Sequence, residues 1–283
     1  GRLGQGLFLR RRRPVEPTEL GRMLALHGIQ LRSILDEAGQ TAALMAQGRQ
    51  GTLRIGAPPF FAEEVLPQLV TGFHDTTPGV GFEMSSAYAP DLRQRVAERR
   101  LDLALVPMES DSAAPWLRQH HLADIDHAVV ARPQAVPAPG TDLVAALSQG
   151  QWINHAPRSI LRGYTQHALS RMGVMQANVI ATSESGSAVV GMLLTVDCFA
   201  VLPVMSILPQ LRSGQLGVVA RLPGLPVLPF GLITQAGAGG PPLVDAFQRF
   251  ARSVFQRLAA EGASFMVGAP PGVPGRWTRP VAG

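Results

Sequence analysis

The sequence contains no lysine, one cysteine and few aromatic residues (6%). Cys198 alone forms neither an internal disulfide nor a cysteine-type metal cluster, which excludes a small disulfide-stapled domain. No run approaches the ~20 uninterrupted apolar residues that a membrane-spanning helix needs. The arginine-rich N-terminus is not followed by the apolar segment of a signal peptide. These absences predict a cytoplasmic globular protein.

Arginine supplies all the positive charge of the chain. The 283 residues carry a formal net charge of +5, and 46% of them are hydrophobic, which is enough for a sizeable core. Four arginines, Arg10, Arg11, Arg12 and Arg13, stand in one run. Such a run favours contact with a DNA backbone, although a solvated basic flank has the same composition.

Residues 18–47 contain no proline and repeat apolar residues every three or four positions, which predicts a helix with Thr18 as its N-cap. The seam of a heptad pattern holds Leu20, Leu24, His27, Leu31, Ile34, Ala38 and Met45. A helix of ~30 residues is ~45 Å long, longer than one small domain, so we predict that it pairs with a second copy. The residues expected in that contact are Leu20, Leu24, Leu31, Ile34 and Met45. An ordinary amphipathic core helix is the alternative.

Downstream, short apolar strands alternate with helices of about a dozen residues. One series leads from a strand at residues 52–56 to another at 101–107, and a second series leads from 152–155 to 198–202. This alternation is typical of an α/β fold with parallel sheets. A return strand near residues 228–234 predicts that the chain crosses twice between two similar halves, forming a hinge.

The C-terminal part contains one further helix. Pro241 and Pro242 suit its first turn, and apolar residues share one face as far as about residue 260. We expect this helix to dock on the first half. The glycine- and proline-rich residues 263–283 are expected to be disordered.

Several segments resemble LysR-type transcriptional regulators. Residues 3–10 and 17–21 are similar to the wing and the start of the linker helix, with Pro17 in place of the usual leucine. Residues 52–57 resemble the first strand of that family's effector domain. Residues 101–106 match its Leu-Asp-hydrophobic-Ala-hydrophobic strand. The resemblance extends in the same order over residues 1 to about 260.

The resemblance implies a two-lobed effector domain similar to periplasmic binding proteins, preceded by a long dimerisation helix and the remnant of a winged helix-turn-helix. It implies that the three helices before the wing are missing. The expected boundaries are 1–17 for the wing remnant, 18–50 for the linker helix, 51–262 for the effector domain and 263–283 for the tail. Lobe I is expected at about 51–131 and 232–262, and lobe II at about 132–231.

The same resemblance implies a DNA-binding regulator of transcription, with neither a catalytic activity nor a cofactor. Its expected partners are operator DNA, in the full-length form, a small-molecule effector, and further copies in a homodimer or homotetramer. A stand-alone solute-binding protein is the alternative. It would share the lobes, but we would expect an export signal and no heptad-bearing helix.

In a two-lobed α/β protein, the ligand binds between the lobes at the carboxyl ends of strands and at helix N-termini, which favour anions. In the family, the segment that follows the first strand of the effector domain commonly contains serine or threonine. This chain has Pro58 and Pro59 there, and their backbone nitrogens donate no hydrogen bond. Phe60 and Phe61 offer rings for stacking. We therefore predict an aromatic acid or a similar apolar anion as effector.

The second lobe is expected to supply the polar contacts. Arg158 offers a charge-assisted bond, and nearby serines offer hydroxyls. The residues expected to bind the effector are Pro58, Pro59, Phe60, Phe61, Val106, Pro107, Met108, Arg158, Ser159, Ser183 and Ser185. For the serines simple helix capping is the alternative, and for the two phenylalanines it is core packing.

Metal and enzyme chemistry have weak support. A metal set would have to come from His120, His121, Asp124, Asp126 and His127, but strand-like alternation around Ile125 sends neighbouring side chains to opposite faces. No Gly-x-Ser-x-Gly elbow occurs, and Gly4-x-Gly6 lacks the third glycine of a dinucleotide site. We therefore expect no catalytic residue and no metal.

Overall fold

The computed structural model describes residues 6–8, 15–46, 51–108, 116–138, 140–175, 177–221, 228–236 and 242–266. Within these ranges no helix combines the length and apolar character needed to cross a membrane. The arginines Arg10 to Arg13 lie outside the described residues, so the predicted DNA-backbone contact stays a prediction.

Two five-stranded sheets and nine helices make up the described part of the chain. The strands are β1 (Gly51–Ala57), β2 (Val80–Ser86), β3 (Leu103–Pro107), β4 (Leu117–Ile125), β5 (His127–Ala131), β6 (Gln151–His155), β7 (Asn178–Ser183), β8 (Cys198–Pro203), β9 (Gly217–Arg221) and β10 (Leu228–Gln235). The helices are α1 (Glu19–Ala46), α2 (Pro59–Glu64), α3 (Leu66–Thr76), α4 (Ala89–Ala97), α5 (Leu143–Gln149), α6 (Ile160–Arg171), α7 (Gly186–Thr195), α8 (Leu208–Arg212) and α9 (Pro242–Met266).

Helix α1 begins where the capping pattern predicts. The hydroxyl of Thr18 accepts a hydrogen bond from the Gly21 amide at 3.1 Å, which satisfies one free N–H of the first turn. Before it, Phe8 forms an antiparallel bridge with Pro17. The seam side chains of Leu31 and Ile34 are 63% and 42% exposed.

The two sheets have related strand orders, β2-β1-β3-β10-β4 and β7-β6-β8-β5-β9. In the first sheet β1 runs parallel to β2 and β3, and β10 is antiparallel to β3 and β4. In the second sheet β6 runs parallel to β7 and β8, and β5 is antiparallel to β8 and β9. Each lobe thus contains a mixed sheet. Its antiparallel strand, β10 in the first sheet and β5 in the second, is the one that follows a crossing of the chain between the lobes.

The lobe boundaries differ from the expected ones because of these crossing strands. The chain leaves lobe I after Ile125, since β5 pairs with β8 and β9, and it returns with β10. The described part of lobe I therefore comprises residues 51–108, 116–125, 228–236 and 242–266, and that of lobe II lies between residues 127 and 221. The prediction was therefore wrong in placing residues 127–131 in lobe I and residues 228–231 in lobe II.

Two further differences concern helices. The sequence pattern predicts a single helix at about residues 62–74, but the structure has two helices, α2 and α3, separated at Val65. Pro67 has no amide hydrogen to donate to the Glu63 carbonyl and its ring crowds that carbonyl, so one helix does not continue through this point. Helix α9 continues to Met266, with Met266 and Gly262 buried. Residues 263–266, expected in the disordered tail, are thus helical. Residues 267–283 lie outside the described residues.

The largest core cluster contains residues of both lobes. Helix α9 contributes Phe247 and Phe255 to this cluster. The rings of Phe61 and Phe230 stack with their centroids 4.1 Å apart, and the ring of Phe255 stacks on that of Phe230. This stack holds the start of α2 against β10, the strand with which the chain returns to lobe I. The positions from which α2 and β10 face the other lobe are therefore rigid.

Candidate functional site

A cavity of about 220 Å³ lies between the lobes. Lobe I contributes the start of α2, the start of α4, the end of β3 and the start of β10. Lobe II contributes the end of β6, the start of α6 and the end of β7. The lining residues are Pro58, Pro59, Phe60, Phe61, Tyr88, Ala89, Pro90, Pro107, His155, Arg158, Ser159, Ile160, Leu161, Ser183, Glu184, Leu228 and Phe230.

The lobe I wall is apolar. Pro58 is the N-cap of α2 and Pro59 its first residue, so the helix begins without a side-chain cap. Phe60 meets His155 of lobe II edge to face at 6.3 Å, and Phe61 belongs to the core stack while lining the cavity. Phe61 thus packs in the core and also lines the cavity, and its stacking on an effector stays a prediction.

The lobe II wall carries one cation. The guanidinium of Arg158 donates to Asp91 of lobe I at 2.8 Å, and its central carbon lies 5.3 Å from the centre of the Tyr88 ring. The side chains of Arg158 and Asp91 are 63% and 43% exposed. The contact therefore lies at the wet edge of the cleft, within reach of a ligand's charged end.

The two serines on this wall already bond to nearby backbone amides. Ser159 is the N-cap of α6 and accepts from the Leu161 amide at 3.3 Å. Ser183 accepts from the Ser185 amide at 3.1 Å. Each of these bonds uses one lone pair of the hydroxyl, and both residues also line the cavity.

Three residues expected at the site do not line the cavity. Val106 is fully buried and packs against the inner face of α4, because strand residues alternate between faces. Met108 lies beside Gly231 of β10. Ser185 caps α7, and its hydroxyl donates to Glu63 of lobe I at 3.1 Å.

Glu63 occupies the N-terminus of α7. One of its carboxylate oxygens accepts from the Ser187 amide at 2.7 Å as well as from the Ser185 hydroxyl. A side chain of lobe I therefore takes the place that an anion would take at this helix end. The helix end is occupied from within the protein, and it also joins the two lobes.

Sequence reasoning missed three polar residues of the cavity, His155, Tyr88 and Glu184. His155 is buried, and burial lowers its pKa, so it is neutral. Its Nε2 lies 2.7 Å from the Val201 carbonyl oxygen, which only accepts, so Nε2 carries the proton and Nδ1 is an acceptor. His155 is the last residue of β6. The argument that ligands bind at the carboxyl ends of strands would have included His155 if it had been applied to the final residue of this strand.

Tyr88 is the second of these residues. It caps the start of α4 just beyond the end of β2, and its buried hydroxyl has no partner among the residues that the structure describes. Burial, and to a lesser extent the carboxylate of Glu184, raises the pKa of Tyr88. The hydroxyl is therefore protonated and remains an unused donor beside Arg158.

The histidines and aspartates around Ile125 do not converge. His121 pairs with Asp124 at 2.9 Å at the surface, His120 Nδ1 lies 2.8 Å from the Gln248 amide nitrogen, and His127 is buried on the other side of the crossing. No group of three metal-ligating side chains occurs among the described residues.

Comparisons with known proteins agree with this architecture. Residues 46–256 match the family model for the LysR substrate binding domain. Over 259 residues, 90% of this chain and 81% of the relative, the sequence is 29% identical to the HTH-type transcriptional regulator DgdR of Burkholderia cepacia.

Two solved structures share the fold. Full-length CbnR complexed with its target DNA has a TM-score of 0.60 at 15% identity and covers 84% of this chain and 83% of its own. The effector binding domain of QuiR in complex with shikimate has a TM-score of 0.56 at 17% identity and covers 73% and 98%.

Proposed function

The chain belongs to the LysR substrate-binding-domain family, the effector-binding part of LysR-type transcriptional regulators, and from this premise we propose that its cleft binds an aromatic or similarly apolar carboxylic acid. Its relatives are transcriptional regulators and not enzymes. Binding would change the relative position of the lobes only if the acid prefers one arrangement, and that preference is the source of regulation.

The pairing of one cation with apolar walls carries this proposal. Arg158 is the only arginine among the cavity-lining residues that the structure describes, and Phe60, Pro58 and Leu228 supply apolar surface. A volume of about 220 Å³ is ample for a ring, since a cavity of about 150 Å³ accommodates benzene. Pro58 and Pro59 offer no amide donor, which disfavours a small dicarboxylate.

The test is a thermal-shift and titration screen of this chain with benzoate, other aromatic acids, shikimate, sugars and amino acids. A binder at 100 times its dissociation constant stabilises the folded state by about 2.7 kcal/mol. We expect aromatic acids to stabilise the wild type and to lose this effect in Arg158→Gln. Arg132→Gln, which breaks the exposed pair with Asp197 within lobe II, is the matched control. Stabilisation by sugars or amino acids, with none by benzoate or the other aromatic acids, would overturn the proposal.

We further propose that α1 pairs with the α1 of a second copy. The side chains of Leu24, Leu31 and Ile34 are at least 36% exposed, and Leu20 is half-buried. Met45 is the fifth residue of the proposed contact, and its side chain lies outside the described residues. An apolar stripe on a helix of 28 residues matches the pattern of a coiled-coil seam.

Light scattering at several concentrations tests this pairing. Leu31→Glu places a charge in the seam without touching the lobes, and we expect it to lower the solution mass. Arg32→Glu, one residue away on the same helix, is the control and should keep the mass of the wild type. A wild-type chain that is monomeric throughout would contradict the pairing. In the full-length form, Arg10 to Arg13 would contact the operator DNA backbone.

A further inference from the structure

Helix α4 touches the ligand cavity at one end and the linker helix at the other. Tyr88 caps its start, Ala89 and Pro90 line the cavity, and Asp91 in its first turn holds Arg158 of lobe II. The helix has nine residues, so its two ends are only about 14 Å apart.

The C-terminal end of α4 is held by side chains of α1. The amide of Gln30 donates to the Ala97 carbonyl oxygen at 2.9 Å, and the hydroxyl of Ser33 donates to the Arg99 carbonyl oxygen at 2.8 Å. Both bonds are partly buried. Carbonyls at a helix end have no partner within the helix, so these contacts satisfy groups that α4 itself leaves open.

The backbone at this end is shaped for the contact. Arg99 has a φ of +57°, a left-handed conformation that costs a non-glycine residue free energy. Its amide donates to the Val96 carbonyl and the Arg100 amide donates to the Arg95 carbonyl, closing the end of the helix in a fixed form. The Arg99 carbonyl is thereby presented to Ser33.

The same end also meets the return strand. Gln235, the last residue of β10, donates to the Ala97 carbonyl oxygen at 3.1 Å. Strand β10 lines the cavity through Leu228 and Phe230. The Ala97 carbonyl therefore joins two of the cavity-lining elements of lobe I, α4 and β10, to the linker helix.

We propose that α4 transmits the state of the cleft to α1, with Asp91 holding Arg158 while the cleft is empty and an effector's carboxylate taking its place. This inference rests on the proposed function, because the incoming carboxylate is the proposed effector's. When Arg158 turns to the ligand, Asp91 loses its partner across the cleft, and α4 loses one of the contacts that fix its N-terminal end. Gln30 and Ser33 then act as positioning residues for the linker helix.

Packing explains why such a shift would involve the whole helix. Leu92 and Val96 are fully buried in a small cluster with Leu101, and Leu92 lies so close to Gly56 that a Cβ there would be 2.5 Å from it. Closely packed groups do not deform continuously. A helix held this way moves as a unit, so a change at Asp91 reaches Ala97.

Hydrogen exchange on the complete chain tests the relay without any ligand. Arg158→Ala breaks the pair from the lobe II side and leaves α4 itself unchanged. We expect amides of α1 around Gln30 and Ser33 to exchange between about 1.5 and 5 times faster, the range that an exposed ion pair accounts for. Arg132→Ala breaks the comparable pair with Asp197 and should leave α1 exchange unchanged.

A second comparison separates the relay from general loosening. In a chain that already carries Gln30→Ala and Ser33→Ala, Arg158→Ala should have no further effect on α1, because coupled sites are not additive. Unchanged α1 exchange in Arg158→Ala, or an equal change in Arg132→Ala, would overturn the relay. If acids bind while α1 exchange is independent of Arg158, only the relay fails. If the relay results hold and no acid binds, only the proposed ligand class fails.

Discussion

Acid sensitivity of the fold centres on His127, the first residue of lobe II after the crossing from lobe I. Its ring is fully buried 5.2 Å from that of Tyr164, and Nε2 has no partner among the described residues. Burial lowers its pKa from 6.5 to about 4; a backbone hydrogen bond to Ile125 offsets part of that effect, and His155 adds to the lowering.

The direction of the pH dependence follows from this lowered pKa. The unfolded chain binds a proton on His127 below about pH 6.5, whereas the folded chain does so only near pH 4. The contribution to stability is therefore complete above 6.5 and is lost as the pH falls. At 1.36 kcal/mol per unit, the full loss is about 3.4 kcal/mol, of which about 2 kcal/mol falls between pH 7.5 and 5.

The perturbation is His127→Phe, which keeps a ring against Tyr164 but cannot titrate. Urea unfolding at pH 7.5 and 5, at one fixed protein concentration, gives the free energy of unfolding for each chain. We expect the wild type to lose about 2 kcal/mol more than the variant over this interval. His167→Gln, at an exposed position of α6, should behave as the wild type.

Equal losses in the wild type and in His127→Phe, within about 0.5 kcal/mol, would refute the reasoning. Such a result would mean that water reaches the imidazole in the folded protein. Burial also lowers the pKa of His155, so part of the acid sensitivity should persist in the variant. His155→Phe in the same background should then reduce that remainder.

Three further predictions concern packing and the cavity. Gly56→Ala places a Cβ 2.5 Å from a Leu92 methyl and should cost about 1–3 kcal/mol in urea unfolding, whereas Gly28→Ala on the open face of α1 should raise stability by up to about 1 kcal/mol. Tyr88→Phe removes the unpartnered hydroxyl and should stabilise the ligand-free chain by roughly 1 kcal/mol; a loss instead would show that water or protein satisfies it. Gly186→Val adds bulk about 3 Å from Phe60, and small-angle scattering should detect a more open pair of lobes; an unchanged profile would contradict a tight lobe contact there.

The alternating pattern predicted most of the α/β elements because each strand is an apolar run and each helix has an apolar face. It missed β4, because the sequence from Leu117 to Ile125 contains charged and imidazole side chains and few aliphatic ones. It also missed β9 and α5.

Strand pairing explains the shifted lobe boundaries. No local pattern says that His127 to Ala131 pairs in the second sheet, because both sheets accept a buried apolar strand. The choice is made by β8 and β9, which lie 70 or more residues further along the chain. Long-range pairing of this kind is invisible to periodicity.

The cavity was predictable in outline because strand ends and helix starts meet there in any such fold. Eight of the eleven predicted effector-binding residues line it, whereas Val106 faces the opposite side of its strand. Tyr88, Asp91 and Glu63 were missed. Their roles arise from contacts between the lobes, and a single sequence does not contain the distance between two lobes.

The strand order of lobe I has a consequence for synthesis of the chain. Strand β10 lies between β3 and β4, so lobe I has an open gap in its sheet until residues 228–235 have been made, whereas the strands of lobe II lie within residues 127–221. We therefore expect lobe II to fold first on the ribosome, although its synthesis begins after that of lobe I. Until β10 arrives, the facing edges of β3 and β4 are unpaired and exposed to wrong partners. We therefore expect chaperone binding during synthesis to be strongest in the interval between residues 125 and 235.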